Sequence, residues 1–145
     1  MFHIRVEKWL SKDIHSVFDV ISDHENYKQF SGVDDSVLLE PGEQEKNGQG
    51  ALRQITSGRI ILFERITAFE RPHKMFYQIE KATPIPLDHR LGQIHLCEEN
   101  GGTRVVWKST GTMQVPVIGA LVLDRLIQKQ VSRQFASMLK AIDER

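Results

Sequence analysis

The feature that most constrains what this chain can fold into is a helical pattern over residues 116–145. Leu123, Ile127, Val131, Phe135, Met138, Leu139 and Ile142 recur at spacings of three and four, the period of one helix face. The opposite side carries Arg125, Lys129, Arg133, Lys140 and Glu144, so the predicted helix is amphipathic. Pro116 suits its first turn, where no amide donor is needed. About 28 residues at 1.5 Å each give roughly 40 Å of helix. Such a helix needs a wide apolar surface to cover it, and the rest of the chain must supply one.

That remainder reads mostly as strands. Phe2, Ile4 and Val6 alternate with His3, Arg5 and Glu7, as in a strand with one buried face. Ser11 is the expected N-cap of a short helix whose apolar face is Ile14, Val17, Phe18 and Ile21. Tyr27 and Phe30 suggest one further helical turn before Ser31-Gly32. Strands are then predicted over 37–39, 51–56, 60–69, 75–81, 88–98 and 103–113. They are separated by turn residues such as Pro41-Gly42, Ser57-Gly58 and Glu99-Asn100-Gly101-Gly102. Thr83-Pro84-Ile85-Pro86 forms an extended loop, because its prolines lack ladder donors. This order predicts an α+β domain in which a single twisted antiparallel sheet of about seven strands wraps around the last helix, with two short helices after the first strand.

Length and charge narrow the function classes. A chain of 145 residues fits one domain, 1–145, with a core that needs no staples. Lysine plus arginine and aspartate plus glutamate both number 19, which argues against a nucleic-acid partner. Cys97 is the only cysteine and excludes an internal disulfide or a multi-cysteine metal site. Together with an amino terminus that alternates instead of forming a signal peptide, it points to a cytoplasmic setting. The longest apolar run, 115–123, is about half of the roughly 20 residues that a spanning helix requires.

Several strings carry a family resemblance that covers nearly the whole chain. They are Val17-Phe18-Asp19-Val20-Ile21-Ser22-Asp23 with Tyr27 and Phe30, then Glu64-Arg65-Ile66-Thr67-Ala68-Phe69-Glu70-Arg71-Pro72, and Gly101-Gly102-Thr103-Arg104-Val105-Val106-Trp107. With the order of elements they resemble the START-like helix-grip superfamily, also called SRPBCC, and within it the polyketide cyclase/dehydrase family. One departure is His24, where members often carry proline. The resemblance implies a deep, largely apolar pocket between sheet and terminal helix that holds a hydrophobic small molecule or lipid. It does not select an activity, because fold and function separate.

Facing rules then nominate site residues. Trp107 and Ser109 alternate inward with Val105, and Arg90, Gly92, Ile94 and Leu96 inward on the preceding strand. Tyr77 joins Met75 and Ile79, Arg53 lies between Ala51 and Ile55, and Glu64 is a further candidate. Arg53, Tyr77, Arg90, Ile94, Trp107, Ser109, Leu123, Ile127, Val131 and Phe135 are therefore the expected ligand-binding lining. An inward arginine must find an anion, a carbonyl or water. For Arg53 and Arg90 the alternatives are a ligand oxyanion or an internal pair with Glu64, Asp88 or a backbone carbonyl. Tyr77 reads as core or as a donor to ligand, and Trp107 as packing or as a stacking surface. His89 and His95 are placed on the outer face with Leu91, Gln93 and Cys97, and His24 at a solvent-facing element boundary. No metal-ligand spacing, phosphate loop or nucleophile motif stands out, and no cofactor is expected.

Three functions compete. The first is a carrier or sensor that binds a hydrophobic small molecule or lipid, gated by the loops around Pro84-Ile85-Pro86 and 113–119. The second is a cyclase or dehydratase for an aromatic or polyketide-like substrate, without metal or covalent nucleophile, drawing on Arg53, Glu64, Tyr77 and Arg90. The third is a lipid or quinone chaperone with transient membrane contact, as in the coenzyme Q-binding branch of the superfamily, using residues 115–122 beside Arg125 and Lys129.

Overall fold

A computed structural model describes residues 1–115 and 117–145, and of residues 117, 118 and 120 the backbone alone. The expected helix start at Pro116 lies outside the described residues. Seven strands, β1 (Phe2–Leu10), β2 (Asp35–Glu40), β3 (Leu52–Ser57), β4 (Ile60–Glu70), β5 (Lys74–Thr83), β6 (Leu87–Glu99) and β7 (Gly102–Met113), form one antiparallel sheet. Its order is β1-β7-β6-β5-β4-β3-β2. Between β1 and β2 lie α1 (Ile14–Ile21) and a 3-10 turn (His24–Gln29), and α2 (Val117–Asp143) ends the chain. This is the helix-grip architecture.

Alternation explains the strands. In β7, Val105, Trp107, Ser109, Gly111 and Met113 are buried and the residues between them are half-buried. The β6–β7 connection turns at Asn100 and Gly101, both with positive φ, the backbone that a tight hairpin requires and an Asn-Gly pair accepts readily. Register shifts in β2, between β4 and β5, and at residue 90 of β6 curl the sheet, since each unpaired residue bends and twists its strand.

The apolar face of α1 is as expected, with Ile14, Val17, Phe18 and Ile21 buried. Its cap is not Ser11. Asp13 accepts the Ser16 amide, which its position one residue before the helix allows, while Ser11 binds the Asp143 carboxylate at the far end of α2. The long helix packs chiefly on β1 and β7. Met138, Leu139 and Ile142 are sealed there, whereas Leu123, Ile127 and Val131 are only half-buried. Apolar packing is thus tightest at the carboxyl end of α2, while nearer its start the helix is held to β1 and β7 by polar contacts, with buried Asp124 accepting the Met113 amide and Gln128 that of His3.

Candidate functional site

The register of β3 on β4 places Arg53 directly opposite Glu64, both on the concave face. Arg53 is 1% exposed. Its Nε and Nη2 both reach Glu64 Oε1, at 2.8 and 2.7 Å, and its Nη1 lies 3.2 Å from His24 Nδ1. An arginine can only donate, so His24 Nδ1 accepts, and the ring proton sits on Nε2, which donates to the Asn47 carbonyl at 2.8 Å. The guanidinium is 4.5 Å from the Tyr27 ring centroid and 5.4 Å from that of Tyr77. Burial first, and the Arg53 charge second, push the His24 pKa down to about 3. Arg53 thus takes the internal pairing that was one of its two expected roles. His24 corrects the expectation of a solvent-facing residue, because the 3-10 turn carries it inward to a fully buried position. A proline there would leave Arg53 Nη1 without this partner.

A second group lies across the same face. Tyr77 on β5, Gly92 on β6 and Ser109 on β7 are register partners in one row. Gly92 is required by the close approach of the Tyr77 ring, since a Cβ there would lie 2.5 Å from it. Laid over Gly92, Tyr77 accepts the Trp107 Nε1 proton at 2.9 Å and stacks on His89 with centroids 5.7 Å apart. His89 Nδ1 accepts the Ile79 amide at 3.0 Å, and its Nε2 is 3.0 Å from Ser109 Oγ. Burial lowers the His89 pKa and raises that of Tyr77. A neutral imidazole whose Nδ1 accepts carries its proton on Nε2, so His89 donates to Ser109.

His89 and Arg90 exchange the positions expected of them. The unpaired residue in β6 is Arg90, between the pairs His89↔Gly111 and Leu91↔Thr110. That one extra residue reverses the alternation before it, turning His89 inward and Arg90 outward, while Leu91 keeps its outward position. Arg90, expected in the lining, is 63% exposed at its side chain and paired with Asp88 at 2.8 Å. Nothing in the spacing of residues 88–98 signals the shift.

The other expected lining residues divide between core and mouth. Ile94 is sealed in the core. Trp107 stacks on Phe135 of α2, with centroids 3.9 Å apart and planes 10° off parallel, so the two fill the join between sheet and helix. Ile127 and Val131 are half-buried against the core, as are Leu62, Ile79 and Leu87 on the sheet, and Leu123 lies one turn earlier on α2. Two clefts are described, and the first shares Ile79, Leu87 and His89 with this region. That cleft measures about 440 Å³ and opens where β5 and β6 part beyond Tyr77 and Gly92, bordered by Ile79, Leu87 and His89 and by the polar Arg65, Thr67, Gln78, Glu80 and Asp88. The other, about 240 Å³, lies beside Asp19, Asp23 and Arg145. Among the described residues no group of three metal-ligating side chains occurs, and no helix is long and apolar enough to cross a membrane.

Comparison with solved structures finds the same fold at low identity. A Thermus thermophilus protein, TTHA0849, superposes with a TM-score of 0.79 at 20% identity, over 98% of this chain and 94% of that one. A START superfamily protein from Mycobacterium smegmatis gives 0.72 at 7% identity over 99% of both chains. StfQ, a di-domain aromatase/cyclase of the steffimycin biosynthetic pathway, gives 0.80 at 11% identity, over 98% of this chain and 49% of that one. No curated protein matches the sequence. The family model described as polyketide cyclase / dehydrase and lipid transport matches residues 1–145, over the whole of the helix-grip fold, and the chain belongs to that family.

Proposed function

We propose that this protein binds a hydrophobic small molecule or lipid between the concave face of its sheet and the first half of α2, as a carrier or sensor. The observation that carries this reading is the half-burial of Leu62, Ile79 and Leu87 on the sheet and of Ile127 and Val131 on α2, at the margin of the core and near an enclosed polar cluster. Several apolar side chains left half-covered at the margin of one core suit an apolar guest that completes their burial. Native mass spectrometry of the purified protein, with organic extraction, tests it. A retained apolar compound that stoichiometrically accounts for the mass difference is the expected result. The absence of any retained compound, together with no binding of an apolar fluorescent probe, would overturn the reading.

The cyclase or dehydratase alternative draws less support. Of its four candidate residues, Arg90 lies on the outer surface and Arg53 is neutralised by Glu64. Tyr77 alone keeps an unspent hydroxyl proton, and its raised pKa suits a hydrogen-bond donor better than a base.

A membrane-contact role is supported by one surface. Leu121, Val122 and Leu126 are exposed on α2, and Arg125, Lys129 and Arg133 project from the same outward side. An apolar patch bordered by cations suits a transient seat on anionic lipid. Pelleting with phosphatidylglycerol vesicles, lost on Leu121→Ser/Leu126→Ser, is the expected outcome. Equal recovery in the supernatant with anionic and neutral vesicles would exclude it.

A further inference from the structure

The hydrogen bonds around Tyr77 and Ser109 leave a particular pattern unspent. Tyr77 Oη accepts from Trp107, and Ser109 Oγ accepts from His89. Neither hydroxyl proton has an acceptor among the described residues. Both side chains are buried, Tyr77 and Ser109 each at 4% exposure. A buried O–H without an acceptor is unfavourable, so each proton calls for an oxygen or nitrogen that the protein does not provide. The incoming bonds also orient the outgoing ones. The Ile79 amide holds the His89 tautomer, His89 occupies one lone pair of Ser109, and Trp107 occupies one of Tyr77. Tyr77 and Ser109 are both register partners of Gly92, and each touches the His89 ring, Tyr77 by stacking and Ser109 by its hydrogen bond, so both belong to one cluster on the concave face.

The charges on this face cancel. Arg53 is matched by Glu64, and His24 and His89 are neutral where they sit. An anionic guest therefore finds no uncompensated cation, whereas a neutral acceptor finds two preset donors.

We propose that Tyr77 and Ser109 act together as hydrogen-bond donors to the carbonyl oxygen of a neutral, largely apolar ligand. This rests on the binding reading above and names the chemistry of its guest. Three probes of nearly equal size, 2-acetylnaphthalene, 2-ethylnaphthalene and 2-naphthoate, separate the two ideas. The ketone binds about tenfold more tightly than the hydrocarbon, the return on two modest hydrogen bonds. Its infrared carbonyl stretch moves to lower wavenumber on binding than in hexane. Ser109→Ala and Tyr77→Phe each reverse part of that shift, and either one suffices if the other fails to fold.

Equal affinity for ketone and hydrocarbon with an unshifted carbonyl overturns the donor pair while the binding reading survives. Tighter binding of 2-naphthoate overturns the preference for a neutral guest. Binding of none of the three overturns the binding reading and this inference with it.

Discussion

At the residue scale, the Arg53–Glu64 pair shows what an interior charge demands. Facing positions and the need for a counter-charge were both legible, since Arg53 and Glu64 each sit at inward phase in their strands. Removing one partner leaves the other buried and uncompensated. Glu64→Gln is expected to lower stability by about 3–5 kcal/mol, and a double Arg53→Met/Glu64→Leu variant to recover most of it, in urea unfolding. His24 was not legible, because a residue in an irregular turn has no periodicity to show which way it points. Its depressed pKa makes the folded state resist its protonation. Stability is full above the ordinary histidine value of 6.5 and falls as pH drops from 6.5 toward about 3. Between pH 7 and pH 5 the loss assignable to His24 is about 2 kcal/mol. His89, lowered in the same direction, adds to it. A His24→Asn variant whose unfolding free energy keeps the full pH slope would show that this histidine is not its source.

At the element scale, β6 is where sequence reasoning and structure part. Alternation holds from Gly92 to Leu96 and reverses across Arg90, so one unpaired residue decides which of two neighbours enters the interior. The cause is not local. β6 must stay paired with β7 along its length while it parts from β5 beyond Gly92, and the extra residue absorbs the difference in path. Arg90→Ala is accordingly expected to change stability by less than about 0.5 kcal/mol and probe affinity not at all. Any tenfold loss of affinity would return Arg90 to the site. In α2, by contrast, the 3.6-residue period marks the face that carries the sealed Met138, Leu139 and Ile142, although Phe135, expected in the ligand lining, is core and the buried Asp124 was not foreseen. Phe135→Ala should cost about 3 kcal/mol, measured in urea, because it removes the ring stacked on Trp107 and leaves a void at the join.

For the whole molecule, ligand binding and stability are one equilibrium. A guest that binds only the folded chain stabilises it by about 2.7 kcal/mol at one hundred times its dissociation constant. 2-Acetylnaphthalene should therefore raise the melting temperature with concentration, and by less in Ser109→Ala; a midpoint that stays constant up to saturating probe would contradict this. The order of elements, the single antiparallel sheet and the amphipathic closing helix followed from sequence alone. Each depends on periods of 2 and 3.6 and on turn residues, which are properties of neighbours along the chain. The inward turn of His24, the bulge that exchanges His89 for Arg90, and the hydroxyl pair left with protons to donate were decided only by tertiary structure. They depend on which strands keep their pairing and which must part as the sheet curls around α2, and that competition exists only once distant segments share one surface.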